Sequence, residues 1–315
     1  MDARLGFAAN SRTLRGMRSA YVPEALICAP FTTAQAKAAG VSESSLRGAQ
    51  WRHVFYGVWA HRDLPDTREH RLAAVKLVLP EGAFVCGATG AWLYGGDVQA
   101  RRADQIWVGA CTGRRLRPRA GCLVREITVN EDDLTVVAGV PVTTPVRTVF
   151  DCGRWLPLVE GVVVADALSH AGLVRVAGLT HYRSRHRALR GVRQFDRVLE
   201  LMEPQSESPM QTRVRVLLVR NGLPCPDVQI LIADRSGTVL ARADMGYIAH
   251  RFLIEYDGAL HWEQRRADDR RRDAIRDLGW TVYVVSARDY YEMPERIVAT
   301  VRRAISRAEP STTGR

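Results

Sequence analysis

The sequence predicts an α/β chain of the α+β multidomain kind, with helices and short sheets alternating along its length. Three observations carry this. Two apolar-rich segments, Ala243-Asp244-Met245-Gly246-Tyr247 and Phe252 to Trp262, sit either side of a short break at Ala249-His250, a hairpin pattern. Helix-capping residues followed by helical periodicity recur at Thr32, Ser42, Thr144 and Ser208. At 315 residues and 46% hydrophobic content, the chain can hold two or three domains and a substantial core.

Residues 1–20 are Arg/Ser-rich and read as a loose tail. Thr32 with Gln35 three residues on forms a capping box for a first helix, which Gly40 ends. Ser42 caps a second helix, and Trp51 to Ala60 reads as two short strands around a turn. Helix, tight turn, helix and β-ribbon over 22–62 make a winged helix-turn-helix pattern. That arrangement turns Ser44, Arg47 and Gln50 toward a DNA major groove and brings Arg52 and His53 to phosphates. The bland alternative is a solvated polar face on a small scaffold. Trp51, Phe55 and Trp59 read as core, because aromatic rings gain most from burial.

Residues 67–172 form a middle α/β region. Leu72, Val75 and Leu79 have helical spacing over Arg68–Leu79. Gly87 to Trp92 offers small residues for close helix packing, and Ile106–Val108 and Leu123–Ile127 read as strands. The basic loop Arg114–Arg119 suits a solvated connector as well as a phosphate contact. Val140–Thr143 ends a strand, and Thr144-Pro145 starts a helix running to about Asp151. A second helix runs from Leu158 to His170. Asp151 and Asp166 read as exposed helix residues. There is no Walker loop, dinucleotide fingerprint or Ser-His-Asp spacing.

Residues 175–203 read as a basic helical linker. Seven arginines, including Arg183, Arg185, Arg187 and Arg190, face one acid, Asp196, within 175–199. Leu189, Val192, Phe195 and Val198 suggest one amphipathic helix. The charge fits a solvated face, or a nucleic-acid backbone held by counterion release.

The last region, 206–307, holds the candidate chemistry. Ser208 caps a helix with Pro209 in its first turn, and Gln211 stands where it can complete a capping box. Val228–Ile232 is a first strand carrying Gln229. With Ala249-His250 as the turn, cross-strand partners have numbers summing to 499, so Asp244 faces Glu255 at about 5 Å between Cβ atoms. Period two puts Asp257 on the side of Glu255, and His261 follows. Like charges facing each other call for a cation or a proton between them. Hard cations such as Mg²⁺ take carboxylate, phosphate and water oxygens, so this pattern points to phosphodiester chemistry. Arg265–Leu278 and Pro294–Ser306 read as helices, and Thr281–Val285 as a buried strand.

The run Ser206-Glu207-Ser208-Pro209, Thr212-Arg213, Gly222-Leu223-Pro224, Gln229, Asp244-Met245-Gly246, Glu255-Tyr256-Asp257-Gly258, His261-Trp262, Arg272, Leu278-Gly279-Trp280 and Val285-Ser286 resembles very-short-patch-repair endonucleases of the PD-(D/E)XK superfamily. The resemblance implies a mixed sheet flanked by helices. It implies Mg²⁺ or Mn²⁺ held by Asp244, Glu255 and the Tyr256 carbonyl. His261 becomes a base or phosphate contact, Asp257 its holder or a second metal ligand, and Glu207, Gln211 and Gln229 supporting residues. The chain departs from the family at the E-x-K lysine, where Asp257 stands, and at a helix Glu, where Gln211 stands. The winged pattern and the middle region resemble abortive-infection-type antitoxin regulators. That second likeness implies a non-cleaving DNA-binding regulator with a cognate toxin-like partner.

Net charge is +11, and residues 200–315 hold 18 Arg against 17 acidic residues, so nearly all the excess lies in the first two-thirds. An anionic partner, DNA, fits this balance. Of 45 basic residues only Lys37 and Lys76 are lysines. The six cysteines are scattered without metal-ligand spacing, as expected of a cytoplasmic protein. Neither a signal peptide nor a membrane span is expected.

Overall fold

The computed structural model describes residues 22–96, 105–110, 116, 120–234, 236–257 and 271–306. The terminal stretches 1–20 and 309–315, most of the basic loop Arg114–Arg119, the start of the helix expected from Arg265, and His261 lie outside the described residues.

The N-terminal elements are β1 (Phe31–Thr32), α1 (Thr33–Ala38), α2 (Glu43–Leu46), β2 (Trp51–Phe55) and β3 (Val58–His61). The strands form an antiparallel sheet in the order β1-β3-β2. The Thr32–Gln35 capping box forms as expected, with the Thr32 N–H donating to Gln35 Oε1 at 2.7 Å. Ser42 accepts from the Ser45 N–H. Leu26, Phe31, Ala36, Val41, Leu46 and Trp51 make the local core. Phe55 is buried on the neighbouring cluster, and Trp59 is half-buried with its indole N–H donating to Thr33 Oγ1. The second helix is a single turn, because Gly48 follows its Arg47 C-cap.

Next come α3 (Arg68–Lys76), β4 (Phe84–Val85), α4 (Gly87–Leu93), β5 (Ile106–Ala110), β6 (Cys122–Glu126), β7 (Leu134–Val137) and β8 (Val140–Thr143). Their sheet is mixed, ordered β6-β5-β4-β8-β7. Four helices follow: α5 (Pro145–Trp155), α6 (Leu158–His170), α7 (Val176–Arg185) and α8 (Val192–Leu201). Close helix packing at Gly87–Trp92 is realised in α4, where a Cβ on Gly87 would meet Trp107 at 2.6 Å.

Two expectations here are corrected. Residues 175–203 hold two helices, and Leu179, Phe195 and Val198 share one core with Phe150, Val162 and Leu168. Only α8 carries the expected stripe, with Leu189 outside it and exposed. Asp151 and Asp166 are buried, at 0% and 1% exposure. Arginines explain this: Arg147 and Arg154 pair with Asp151, and Arg215 pairs with Asp166. A carboxylate goes inside when a guanidinium goes with it.

The C-terminal elements are α9 (Pro209–Arg220), β9 (Asp227–Ala233), β10 (Val239–Tyr247), β11 (Phe252–Asp257), a helix α10 described over 271–277, β12 (Thr281–Ser286), α11 (Ala287–Glu292) and α12 (Pro294–Ser306). The sheet runs β12-β11-β10-β9, antiparallel except for the parallel pair β11–β12. The α9/α12 core fills one face and Ile275 of α10 packs on the other. The pairs Met245–Ile254, Gly246–Leu253 and Tyr247–Phe252 all sum to 499, the expected register. The loop is longer than the two residues expected. It is a 3₁₀ turn over Ile248–His250 closed by Arg251 at φ 47°. Two extra residues, one on each side of Ala249-His250, lengthen the loop without shifting the register.

Candidate functional site

The site forms where β10 changes face. Ala241 and Ala243 join the core on the α10 side, with Leu253 and Ile275. Met245 and Tyr247 join the opposite core, with Val214 and Leu218 of α9. Period-two alternation therefore reverses at Asp244. The partner strand does the same at Gln229, whose φ is 53°. The ladder pairs Val228 with Met245 and Ile230 with Ala243, so Gln229 stands across from Asp244. The reversal leaves Asp244 between the two faces, within reach of α9 on one side and α10 on the other.

Its carboxylate has hydrogen-bond partners on β11 and α9, and the charge of Arg271 on α10 acts on it. Asp244 Oδ2 accepts the Tyr256 backbone N–H at 2.8 Å. The Gln211 side chain, from the first turn of α9, hydrogen-bonds to Asp244. Gln211 Oε1 also accepts the Glu207 N–H at 2.8 Å, and its own N–H donates to Ser208 Oγ. The capping function expected of Gln211 is thus shifted by one residue and joined to the site. Burial pushes the Asp244 pKa up, and the charge of Glu255 adds to this. The Tyr256 N–H, Gln211 and Arg271 pull the other way without cancelling it.

Glu255 lies next to it on β11 and is 5% exposed. Arg272 Nε donates to Glu255 Oε2 at 3.1 Å, and Arg271 Nη2 lies 3.2 Å from Oε1. Among the described residues, Oε1 is buried and receives no well-directed hydrogen bond. The two carboxylates are a hard oxygen donor set, and that spare lone-pair capacity suits a hard cation such as Mg²⁺. The arginines supply part of the charge such a cation would bring.

The remaining sequence-predicted residues are placed unequally around this pair. Glu207 is exposed and pairs with Arg242 at 2.8 Å. Asp257 is exposed at the end of β11, although it shares a strand with buried Glu255. Tyr256 contributes its N–H, and its ring is half-buried. Gln229 has its Nε2 buried without a hydrogen-bond partner among the described residues. Among those residues, no group of three His, Cys, Asp or Glu side chains assembles as a metal cluster. In the sequence Arg272 stands out only as one of the residues that carry the endonuclease resemblance, and Arg271 only as part of a helix. The signal that picks them out is their position in the helix between the acidic end of β11 and β12.

In the winged region, Ser44 and Arg47 are exposed and Gln50 is half-buried. Arg52 Nη2 donates to the Leu64 carbonyl at 3.1 Å, and exposed His53 packs edge-on against Trp59. In α7, Arg183 makes a two-pronged pair with Asp196, at 2.7 and 2.8 Å. Arg185, Arg187 and Arg190 are exposed. No helix among the described residues is long and apolar enough to cross a membrane.

Over 259 residues the chain is 28% identical to uncharacterized proteins MT2308 and Rv2248 from two strains of Mycobacterium tuberculosis. The match covers 81% of this chain and 92% of each relative. The crystal structure of the RV2827C protein from the same species aligns at 16% identity with a TM-score of 0.30, over 67% of this chain and 86% of that one. Residues 83–204 match the family model for the AbiEi antitoxin C-terminal domain. That stretch begins just before β4 and runs through α8, so the helical core that carries Asp151 and Asp166 is an antitoxin-like region.

Proposed function

We propose that this chain is a DNA-binding regulator of the antitoxin type. One observation carries the reading: the antitoxin-like region at 83–204 lies one helix, α3, beyond a helix-turn-helix and β-ribbon arrangement with exposed Ser44 and Arg47. The net charge of +11 supports an anionic partner. A toxin-like protein is the second partner this reading expects. The test is a mobility-shift titration of the full chain against DNA from upstream of its own coding sequence, with unrelated DNA as competitor. Sequence-selective binding weakened by Arg47→Ala supports the regulator. Equal affinity for both DNAs removes it.

A second reading has its own observation, the convergence of Asp244, Glu255 and Gln211 on a helix, three strands, helix, strand order. In it the C-terminal region is a metal-dependent endonuclease. Asp244 and Glu255 would hold Mg²⁺ or Mn²⁺, with the Tyr256 carbonyl beside them. When bound, the ion supplies Lewis-acid polarisation of a phosphate and a more acidic water. Gln211 orients Asp244 in this reading, and His261 takes the base or phosphate-contact role. Asp257, in place of a lysine, repels the phosphate that an ammonium attracts, so cleavage is expected to be slow. Plasmid and single-stranded DNA incubated with Mg²⁺ or Mn²⁺ decide it. Nicking by the wild type that is lost in Asp244→Ala supports the nuclease. Binding without metal-dependent nicking leaves the regulator alone.

A further inference from the structure

Helix α9 belongs to two structures at once. Its first turn carries Gln211, which reaches Asp244 on the C-terminal sheet. The next residues turn toward α6 of the antitoxin-like region. Arg213 is 2% exposed and forms a fork with Glu160, Nε to Oε1 at 2.9 Å and Nη2 to Oε2 at 2.8 Å. Arg215, also 2% exposed, donates to Asp166 Oδ2 at 2.7 Å and to the Leu201 carbonyl at 2.7 Å. Thr212 donates to the same Asp166 oxygen at 2.7 Å and bonds the Ser206 hydroxyl at 2.9 Å. Asp166 Oδ1 takes the Glu203 backbone N–H at 2.7 Å.

Asp166 therefore ties down the connection between α8 and α9 at Glu203 and α9 itself at Thr212 and Arg215. Guanidinium groups do not lose their proton in proteins, so two buried arginines need two carboxylates in fixed places. A bidentate fork also sets orientation, since both parallel N–H···O bonds must be satisfied together. The rotation and axial position of α9 are set by α6. Gln211 is held at its other end by the Glu207 N–H, so its side chain has no slack with which to absorb a shift of the helix.

We propose that Glu160 and Asp166, carboxylates of the antitoxin-like region, are positioning residues for the Asp244–Glu255 site, acting through α9 on Gln211. The antitoxin-like core and the carboxylate pair then respond as one unit: a partner that moves α6 alters the site without touching it. This inference rests on neither functional reading, because it concerns only how the pair is held.

The test is a nitrogen-15 NMR comparison of the full chain, read at the Tyr256 backbone N–H that Asp244 accepts and assigned by its shift in Asp244→Ala. Without Gln211 the Asp244 carboxylate is held less firmly, so Gln211→Ala shifts the Tyr256 amide resonance and speeds its hydrogen exchange by about tenfold. Glu160→Gln and Asp166→Asn each shift the resonance in the same direction. Combined with Gln211→Ala, neither adds to the shift, the non-additivity expected of residues on one path. An unchanged Tyr256 amide in the α6 variants, beside a shift in Gln211→Ala, overturns the proposal. So do fully additive shifts, and so does an unmoved amide in Gln211→Ala itself. Glu160 lies at the rim of the interface, with 21% of its side chain exposed, so Glu160→Gln decides alone if Asp166→Asn fails to fold.

Discussion

Asp244 accepts the backbone N–H of Tyr256 through its side chain, at 2.8 Å, one residue beyond the last ladder pair of Met245 with Ile254. The carboxylate thus does the work of a strand carbonyl where β10 and β11 part. Removing it strands both that N–H and the Gln211 amide. Asp244→Ala is expected to cost ~1–3 kcal/mol in urea unfolding, the penalty for unpaired polar groups in a part-buried place. Asp244→Asn keeps an acceptor and relieves repulsion with Glu255, so it should cost less. Equal losses in the two variants would count against this role.

The second expectation concerns the arginines facing Glu255. With Arg272 gone, a carboxylate that is 5% exposed keeps Arg271 as its ion-pair partner among the described residues. Breaking a pair at such a site leaves charge uncompensated, and about 2 kcal/mol of stability should go. Added Mn²⁺ should raise the melting temperature of Arg272→Ala more than that of the wild type. The same rise in both proteins would mean that the guanidinium does not compete with a cation.

Asp166 makes stability depend on pH. Burial pushes its pKa up to about 6, against the pull of Arg215, the Glu203 N–H and Thr212. A folded value above the unfolded one means that the folded state holds the proton more tightly. This contribution is complete below the unfolded pKa near 4 and is lost as pH rises through about 6. The wild type should therefore lose stability relative to Asp166→Asn between about pH 4 and 6, by at most ~3 kcal/mol. Urea midpoints at the two ends of that window measure it. A constant gap between the proteins would refute the shift.

Gln229 combines a left-handed backbone with a buried, unpartnered side-chain amide. Glycine adopts that conformation freely and removes the orphaned group, so Gln229→Gly should gain ~1 kcal/mol. A loss of stability would show that the side chain contributes a contact of its own.

Arg47 is exposed at the end of α2. If it meets a phosphate, Arg47→Ala should weaken binding across DNA sequences and lower the salt dependence of log K by about 1. An unaltered slope would place the DNA contact elsewhere.

Local chemistry was readable where it acts within a few residues. The Thr32–Gln35 box, the Thr144-Pro145 start, and the helices Leu158–His170 and Pro294–Ser306 occur where capping and periodicity put them. The register that sets Asp244 beside Glu255 was also readable, because the break at Ala249-His250 lies at the centre of the loop and so fixes which residues pair. The short helix α11 was not anticipated, since its six residues are too few for periodicity to show.

By itself, then, the sequence determined most of the longer elements, their order and the neighbouring acids of one hairpin. Tertiary structure decided which charges are buried. The guanidinium that admits Asp166 to the interior comes from Arg215, 49 residues further along the chain, so no local spacing announces the pair. In the same way, only packing brings Gln211 and Arg271 to Asp244. Ion pairs between distant segments have no spacing rule, so their partners are chosen by the fold that brings them together.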